Sequence, residues 1–195
     1  VLAAGLYVKK NVETFIREEV AAFVAEKPVE LPEVIVDSAV IDAVNDRFDA
    51  FRRAVAGGQG APARLELDSG ELNILITHHP LFTDIADKVR VELEGDVVTA
   101  QLSFPLGSLP LGGLLPLVGG GFVNGSAQFS LSAENGIANL LLGKLEVNGK
   151  ALPEAIMAEL QSKNLLEDSQ DIFGVIRSIA VKNGKLIVIG GEPAG

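Results

Sequence analysis

Ala127-Gln-Phe-Ser-Leu-Ser-Ala-Glu-Asn-Gly-Ile-Ala-Asn-Leu-Leu-Leu-Gly-Lys-Leu-Glu-Val147 sets two apolar runs around an Asn-Gly pair. Asn-Gly favours a two-residue turn with positive φ at both positions, the turn that fits the twist of two antiparallel strands. The run predicts a hairpin with strands over 122–133 and 137–148. Ala127, Phe129, Leu131 and Ala133 share one face of the first strand; Leu141, Leu145 and Val147 share one face of the second.

Outward from this hairpin the same grammar recurs. Val89, Val91 and Leu93 alternate with Lys88, Arg90, Glu92 and Glu94, so the charged residues form a wet face. Glu94-Gly95-Asp96 turns the chain, and 97–104 alternates again with Val98, Ala100, Leu102 and Phe104 inward. Asn148-Gly149-Lys150 is a further turn, and Asn183-Gly184 joins strands at 176–181 and 185–189. Hairpins of this kind give an antiparallel sheet rather than a parallel βαβ layer.

Helical periodicity occupies the other segments. Val12, Phe15, Ile16, Val20 and Phe23 predict a helix over 11–26, ended by Pro28 and Pro32, with an extended connector at 27–33. Ile41, Val44, Phe48, Phe51 and Val55 form the apolar stripe of a helix over 38–56, capped by Asp37 or Ser38 and stopped by Gly57-Gly-Gln-Gly60. A short strand at 64–68 turns into a helix with Ser69 as its cap, terminated by Pro80, and 81–87 adds a short helical turn. Pro153 opens a helix to Lys163 with Ile156, Met157 and Leu160 inward, and 169–174 reads as one more turn. The expected fold class is α+β: a long antiparallel β-sheet of hairpins curled against helices and preceded by two N-terminal helices. Residues 1–60 form the helical segment and 61–195 the antiparallel domain.

The 195 residues carry 26 acidic and 16 basic side chains, a formal net charge of −10, which opposes binding to nucleic-acid phosphates. There is no cysteine, so disulfides, thiolate metal sites and cysteine nucleophiles are excluded. With no tryptophan and one tyrosine, stacking platforms for bases or sugars are not expected. Val1-Leu-Ala-Ala-Gly-Leu-Tyr-Val8 followed by Lys9-Lys10 reads as the last two turns of a longer apolar helix with an interfacial end. The only methionine is Met157. Together these predict a signal peptide or membrane anchor ahead of Val1, and an extracytoplasmic location in the cell envelope.

The acidity is uneven. Residues 1–96 hold 18 acidic and 10 basic residues, whereas no charge at all lies between Asp96 and Glu134. Inside that gap Leu109-Pro-Leu-Gly-Gly-Leu-Leu-Pro-Leu-Val-Gly-Gly-Gly-Phe-Val123 has no polar side chain. Two prolines and five glycines argue against a membrane-spanning helix and against a buried strand. It reads as a long apolar loop over 105–123, and loops of that length are ordinarily polar. Either it folds back as a cap on the sheet, or it inserts into a membrane, lines a hydrophobic cleft or docks on a partner protein. For the contact reading the candidates are Leu109, Leu111, Leu114, Leu115, Leu117, Val118 and Phe122.

Catalytic signatures are sparse. His78-His79 are the only histidines, with Asp84 and Asp87 close behind. Adjacent helical residues point about 100° apart, so two such imidazoles rarely share a metal; just before Pro80 they fit a role at the helix's last carbonyls. Gly-x-Ser-x-Gly, Ser-x-x-Lys and His-Glu-x-x-His are absent. Gly119-Gly-Gly121 lacks the Lys-Ser/Thr of a phosphate-binding loop. Glu18-Glu19 and Glu167-Asp168 lie in polar stretches that suit solvated faces. No cofactor, metal or catalytic residue is expected.

Four phrases occur in a suggestive order: Leu67-Asp-Ser-Gly-Glu-Leu-Asn-Ile-Leu-Ile76, Val89-Arg-Val-Glu-Leu-Glu-Gly-Asp-Val-Val-Thr-Ala100, Val123-Asn-Gly-Ser-Ala127 and Leu145-Glu-Val-Asn-Gly-Lys-Ala-Leu-Pro153. Over about residues 65–190 this resembles bacterial membrane-anchored extracytoplasmic domains of the YpmS-like kind, and tubular lipid-binding (TULIP-like) domains. The resemblance implies a long sheet curled around a helix and brings no catalytic residues. The expectation is a non-enzymatic, envelope-associated binding or assembly module. Its partners would be a lipid or other hydrophobic ligand, another protein or a second copy of the chain, and the membrane through its N-terminal anchor. The alternatives are a scaffolding subunit that oligomerises through its N-terminal helices, and an enzyme with a dispersed carboxylate/His site.

Overall fold

The computed structural model describes residues 23–57, 62–105, 120–152, 154–167 and 174–191. The first helix, α1 (Ser38–Ala56), has the expected bounds and buries Val44, Phe48, Phe51 and Val55, the inner line of its stripe. Asp37 stands at its N-cap, but the helix-facing group is the backbone: Val40 and Ile41 donate to the Asp37 carbonyl at 2.9 and 3.2 Å. Residues 1–22, which carry most of the helix expected over 11–26, lie outside the described residues. Its predicted end is not helical, since Ala25 forms an antiparallel bridge with Phe122 through two hydrogen bonds of 2.8 Å.

Strand β1 (Ala63–Asp68) runs directly into helix α2 (Ser69–His78). The cap here is Asp68, not Ser69. The Asp68 carboxylate accepts from the Glu71 amide at 2.9 Å and the Glu71 carboxylate accepts from the Asp68 amide at 3.1 Å, a reciprocal pair that satisfies two otherwise orphaned donors. Ser69 is thereby released for another role, and its hydroxyl accepts from the Leu93 amide at 2.9 Å. A short 3₁₀ turn, Pro80–Phe82, follows.

The remaining strands are β2 (Val89–Glu94), β3 (Val97–Pro105), β4 (Phe122–Glu134), β5 (Ile137–Val147), β6 (Lys150–Ala151), β7 (Ile176–Lys182) and β8 (Lys185–Gly190), with helix α3 (Glu154–Gln161) between β6 and β7. All strand pairs are antiparallel. At each Asn-Gly turn both residues have positive φ: 54° and 82° at Asn135-Gly136, 49° and 73° at Asn148-Gly149, 52° and 71° at Asn183-Gly184. The α+β, antiparallel reading therefore holds. The strands form two sheets, however: five strands in the order β2-β3-β4-β5-β6, and three in the order β1-β8-β7. The split has a local cause. Helix α2 leaves β1 at once and lies along the β2 edge, where the Asn73 side chain donates to the Val91 carbonyl at 2.7 Å and accepts from the Val91 amide at 2.8 Å. A side-chain amide fills the slot a neighbouring strand would take, and β1 pairs with the C-terminal β8 instead. The sheets meet at their turns, where Ile176 donates to the Gly136 carbonyl and Gly184 to the Gly95 carbonyl, each at 2.9 Å.

One core joins α1, α2 and both sheets. Phe48, Leu65, Leu75, Ile176 and Val188 are each no more than 2% exposed within it. Strand β5 departs from the expected face. Gln128 pairs with Lys144 but Phe129 pairs with Leu142, so Gly143 is an extra residue in β5. This bulge reverses the phase: Ala138 and Leu142 are buried before it and Val147 after it, whereas Leu141 is 36% exposed. In α3, Met157 and Leu160 are half-buried. The turn expected at 169–174 lies outside the described residues except for Gly174. No helix among the described residues is long and apolar enough to cross a membrane.

Gly190 seals β8 against α1. A Cβ there would lie 2.1 Å from Val55 Cγ2 and 3.2 Å from the Phe51 ring. Gly190→Ala should cost about 1–3 kcal/mol by overpacking, read as a lowered urea midpoint. Val55→Ala in the same chain should recover part of that loss, and simple addition of the two costs would contradict the contact.

Candidate binding groove

Strands β3 and β4 end on the pair Pro105↔Phe122. The chain leaves the sheet at one member and re-enters at the other; residues 106–119, between them, lie outside the described residues. Beside this point the connector from Val24 to Asp37 runs without regular structure. Asn124 on β4 holds it. Its Oδ1 accepts from the Val29 amide at 3.1 Å and from the Ser103 hydroxyl at 2.9 Å, and its Nδ2 donates to the Lys27 carbonyl at 2.9 Å. The amide of Asn124 thus presents one donor and one acceptor to the connector, as a strand backbone would. Farther along, Arg90 Nε donates to the Pro32 carbonyl at 2.7 Å.

Connector and sheet enclose a groove of about 550 Å³, a volume within the range of small-molecule sites. Val29, Leu31, Pro105 and Phe122 supply its apolar lining, and Lys88, Arg90, Ser103 and the exposed Glu30, Glu33 and Asp87 its polar lining. Ser103 is 4% exposed and has its hydroxyl occupied by Asn124. Arg90 is half-buried rather than part of a wet face, because the connector crosses over this end of β2.

Of the expected contact residues, Phe122 lines the groove. Leu109, Leu111, Leu114, Leu115, Leu117 and Val118 lie outside the described residues. Val29, Leu31, Arg90 and Asn124 were not expected at a site. Asn124 alone carried a signal, as a strand residue of low β propensity.

The histidines part company. His78 is exposed. His79 is 6% exposed, and its ring meets the Phe48 ring edge-on with centroids 5.1 Å apart. The backbone amide of His79, not its ring, closes α2 on the Leu75 carbonyl at 2.9 Å. Nδ1 accepts from the Leu81 amide at 3.2 Å, which leaves the proton on Nε2, 3.3 Å from Asp49 Oδ1. Both ring nitrogens are thus engaged within the fold. No group of three His, Asp or Glu side chains suited to a metal occurs among the described residues. A second depression, over Asp46, Asp49, Arg52 and Arg53, lies on the polar face of α1.

No family model matches the chain, and no curated protein or solved structure matches it.

Proposed function

We propose that this protein is a non-enzymatic binding or assembly module of the cell envelope, which takes a lipid or another hydrophobic ligand in the groove beside Pro105 and Phe122. One observation carries the reading: the chain leaves and re-enters the sheet at the wall of the groove, on Pro105 and Phe122, at the two ends of the apolar stretch. An apolar sequence thus joins, at both of its ends, a groove whose lining is partly apolar. The apolar Val1-to-Val8 sequence ahead of Lys9-Lys10 supports a membrane-facing N-terminus, and the resemblance to YpmS-like and TULIP-like domains points the same way. Burial of a leucine is worth about 1.5–3 kcal/mol, so a few of the six aliphatic side chains at 109–118 suffice for association. With a net charge of −10, attraction to anionic headgroups does not contribute.

Flotation with zwitterionic vesicles tests this. The full chain should float at both low and high salt. Replacing Leu111, Leu114 and Leu115 by serine should lower the bound fraction at least about tenfold, given some 1.4 kcal/mol per factor of ten. No flotation of the unaltered chain, with no ligand uptake, contradicts the proposal.

A second reading, self-association through the N-terminal region, is favoured by the 82% exposure of Ile35 beside exposed Val36 and Val40. Light scattering should then show a dimer or larger species that Ile35→Ser and Val40→Ser dissociate. A monomer before substitution removes this reading.

A further inference from the structure

We propose that the groove selects a single-chain amphiphile with an anionic head, a carboxylate or a phosphate, and that Arg90 binds that head. The inference rests on the reading of the groove as a hydrophobic-ligand site and adds the chemistry of its polar end.

Arg90 is half-buried and lines the groove. Its guanidinium donates from Nε to the Pro32 carbonyl at 2.7 Å and from Nη1 to the Ala86 and Val89 carbonyls at 2.8 and 2.7 Å. All three acceptors are neutral, and no carboxylate among the described residues lies within ion-pairing distance of it. Removing a charge from water without a counter-charge is unfavourable, and carbonyl dipoles offset only part of the cost. An anion in the groove would supply the missing charge, and Nη2, which none of these three bonds uses, carries two N–H donors that suit a carboxylate or phosphate oxygen.

The other charges here do not cancel this. Lys88 keeps its ammonium on the Asp84 carbonyl at 2.6 Å and 3.5 Å from the Asp87 carboxylate. Its side chain is 24% exposed, against 81% for Asp87. Glu30 and Glu33 are exposed too. The three carboxylates are exposed and the two cations half-buried, so water screens the carboxylates more strongly.

The sheet register sets the scale of the ligand. Arg90 pairs with Gln101, and Pro105 lies four residues farther along β3. That is about 13 Å of strand, the span of a medium acyl chain, ending at Phe122. The groove's 550 Å³ has room for such a chain.

The competing role for Arg90 is a staple that holds the connector through Pro32. The delipidated full chain should be titrated with a medium-chain fatty acid, the monoacylglycerol phosphate of the same chain, and the matching fatty alcohol. Arg90→Gln and Arg90→Lys are tested in parallel, with thermal melts to confirm folding. The unaltered protein should prefer at least one anion over the alcohol by about tenfold or more, as one charge-assisted hydrogen-bonding pair provides; which anion it prefers distinguishes carboxylate from phosphate. Arg90→Gln should abolish that preference and leave alcohol binding within about twofold, with Arg90→Lys intermediate. Equal affinity of the unaltered protein for acid, phosphate and alcohol overturns head recognition while leaving the hydrophobic groove intact, a result that needs no variant. Equal weakening of all three ligands in a folded Arg90→Gln protein assigns Arg90 to the staple role and also overturns it. Binding of none of the three overturns this inference together with the groove reading on which it rests.

Discussion

Phe48→Ala is expected to remove about 3–5 kcal/mol of stability, a large share of the roughly 5–15 kcal/mol that holds a domain of ordinary size. Phe48 is 1% exposed. Its ring touches the edge of His79 at 5.1 Å between centroids and lies 5.9 Å from the Phe82 ring. The Arg52 guanidinium sits 5.9 Å from its centroid. This one ring therefore joins α1 to the end of α2 and to the 3₁₀ turn. Truncation leaves a cavity that three elements cannot close without moving. Urea unfolding should show a lower midpoint at an unchanged slope. Phe48→Leu, which keeps most of the volume, should cost clearly less. A loss below about 1 kcal/mol in the alanine variant would show that α1 does not pack as described.

Asn73→Leu should cost about 2–6 kcal/mol by leaving both polar groups of Val91 without this partner, at about 1–3 kcal/mol each. The bonds at stake are the 2.7 Å donation to the Val91 carbonyl and the 2.8 Å acceptance from its amide. The substitution also uncovers part of the β2 edge, so concentration-dependent association should accompany the loss. Amide exchange at Val91 should accelerate more than at residues in β3. Asn73→Asp keeps the acceptor but turns a carboxylate toward the Val91 carbonyl, and should fall no closer to the parent than midway. The stretch of β5 that β6 does not cover is treated in the same way. Asn164 accepts from the Leu140 amide at 3.0 Å and donates to the Ala138 carbonyl at 3.1 Å.

Local chemistry made the hairpins and α1 legible. Asn-Gly fixes a turn through two positive φ angles, and a stripe from Val44 to Val55 at helical spacing fixes a helix face, with no help from distant residues. The misreadings have equally specific causes. Ser69 and Asp68 are both good caps, and the choice falls to Asp68 because Glu71 stands three residues after it. Leu141 was placed on the wrong face because a bulge at Gly143 shifts the period, and a lone glycine in a strand is a weak sign of a bulge. The pairing of β1 with β8 joins residues more than a hundred positions apart and leaves no local mark. For the candidate site, the charge-free segment pointed to Phe122 but not to its surroundings. Arg90 alternates with apolar residues like any wet-face charge, and only the path of the connector, pinned at Asn124 and Pro32, makes it half-buried.

The central claim is that the groove beside Pro105 and Phe122 holds a hydrophobic ligand. Native mass spectrometry of the delipidated full chain, offered a medium-chain fatty acid and the matching alcohol, tests it most directly. The account predicts uptake of one amphiphile per chain, weakened by Phe122→Ala together with Val29→Ser in a protein that still melts cooperatively. No uptake of either amphiphile, together with no vesicle binding at low or high salt, would contradict it.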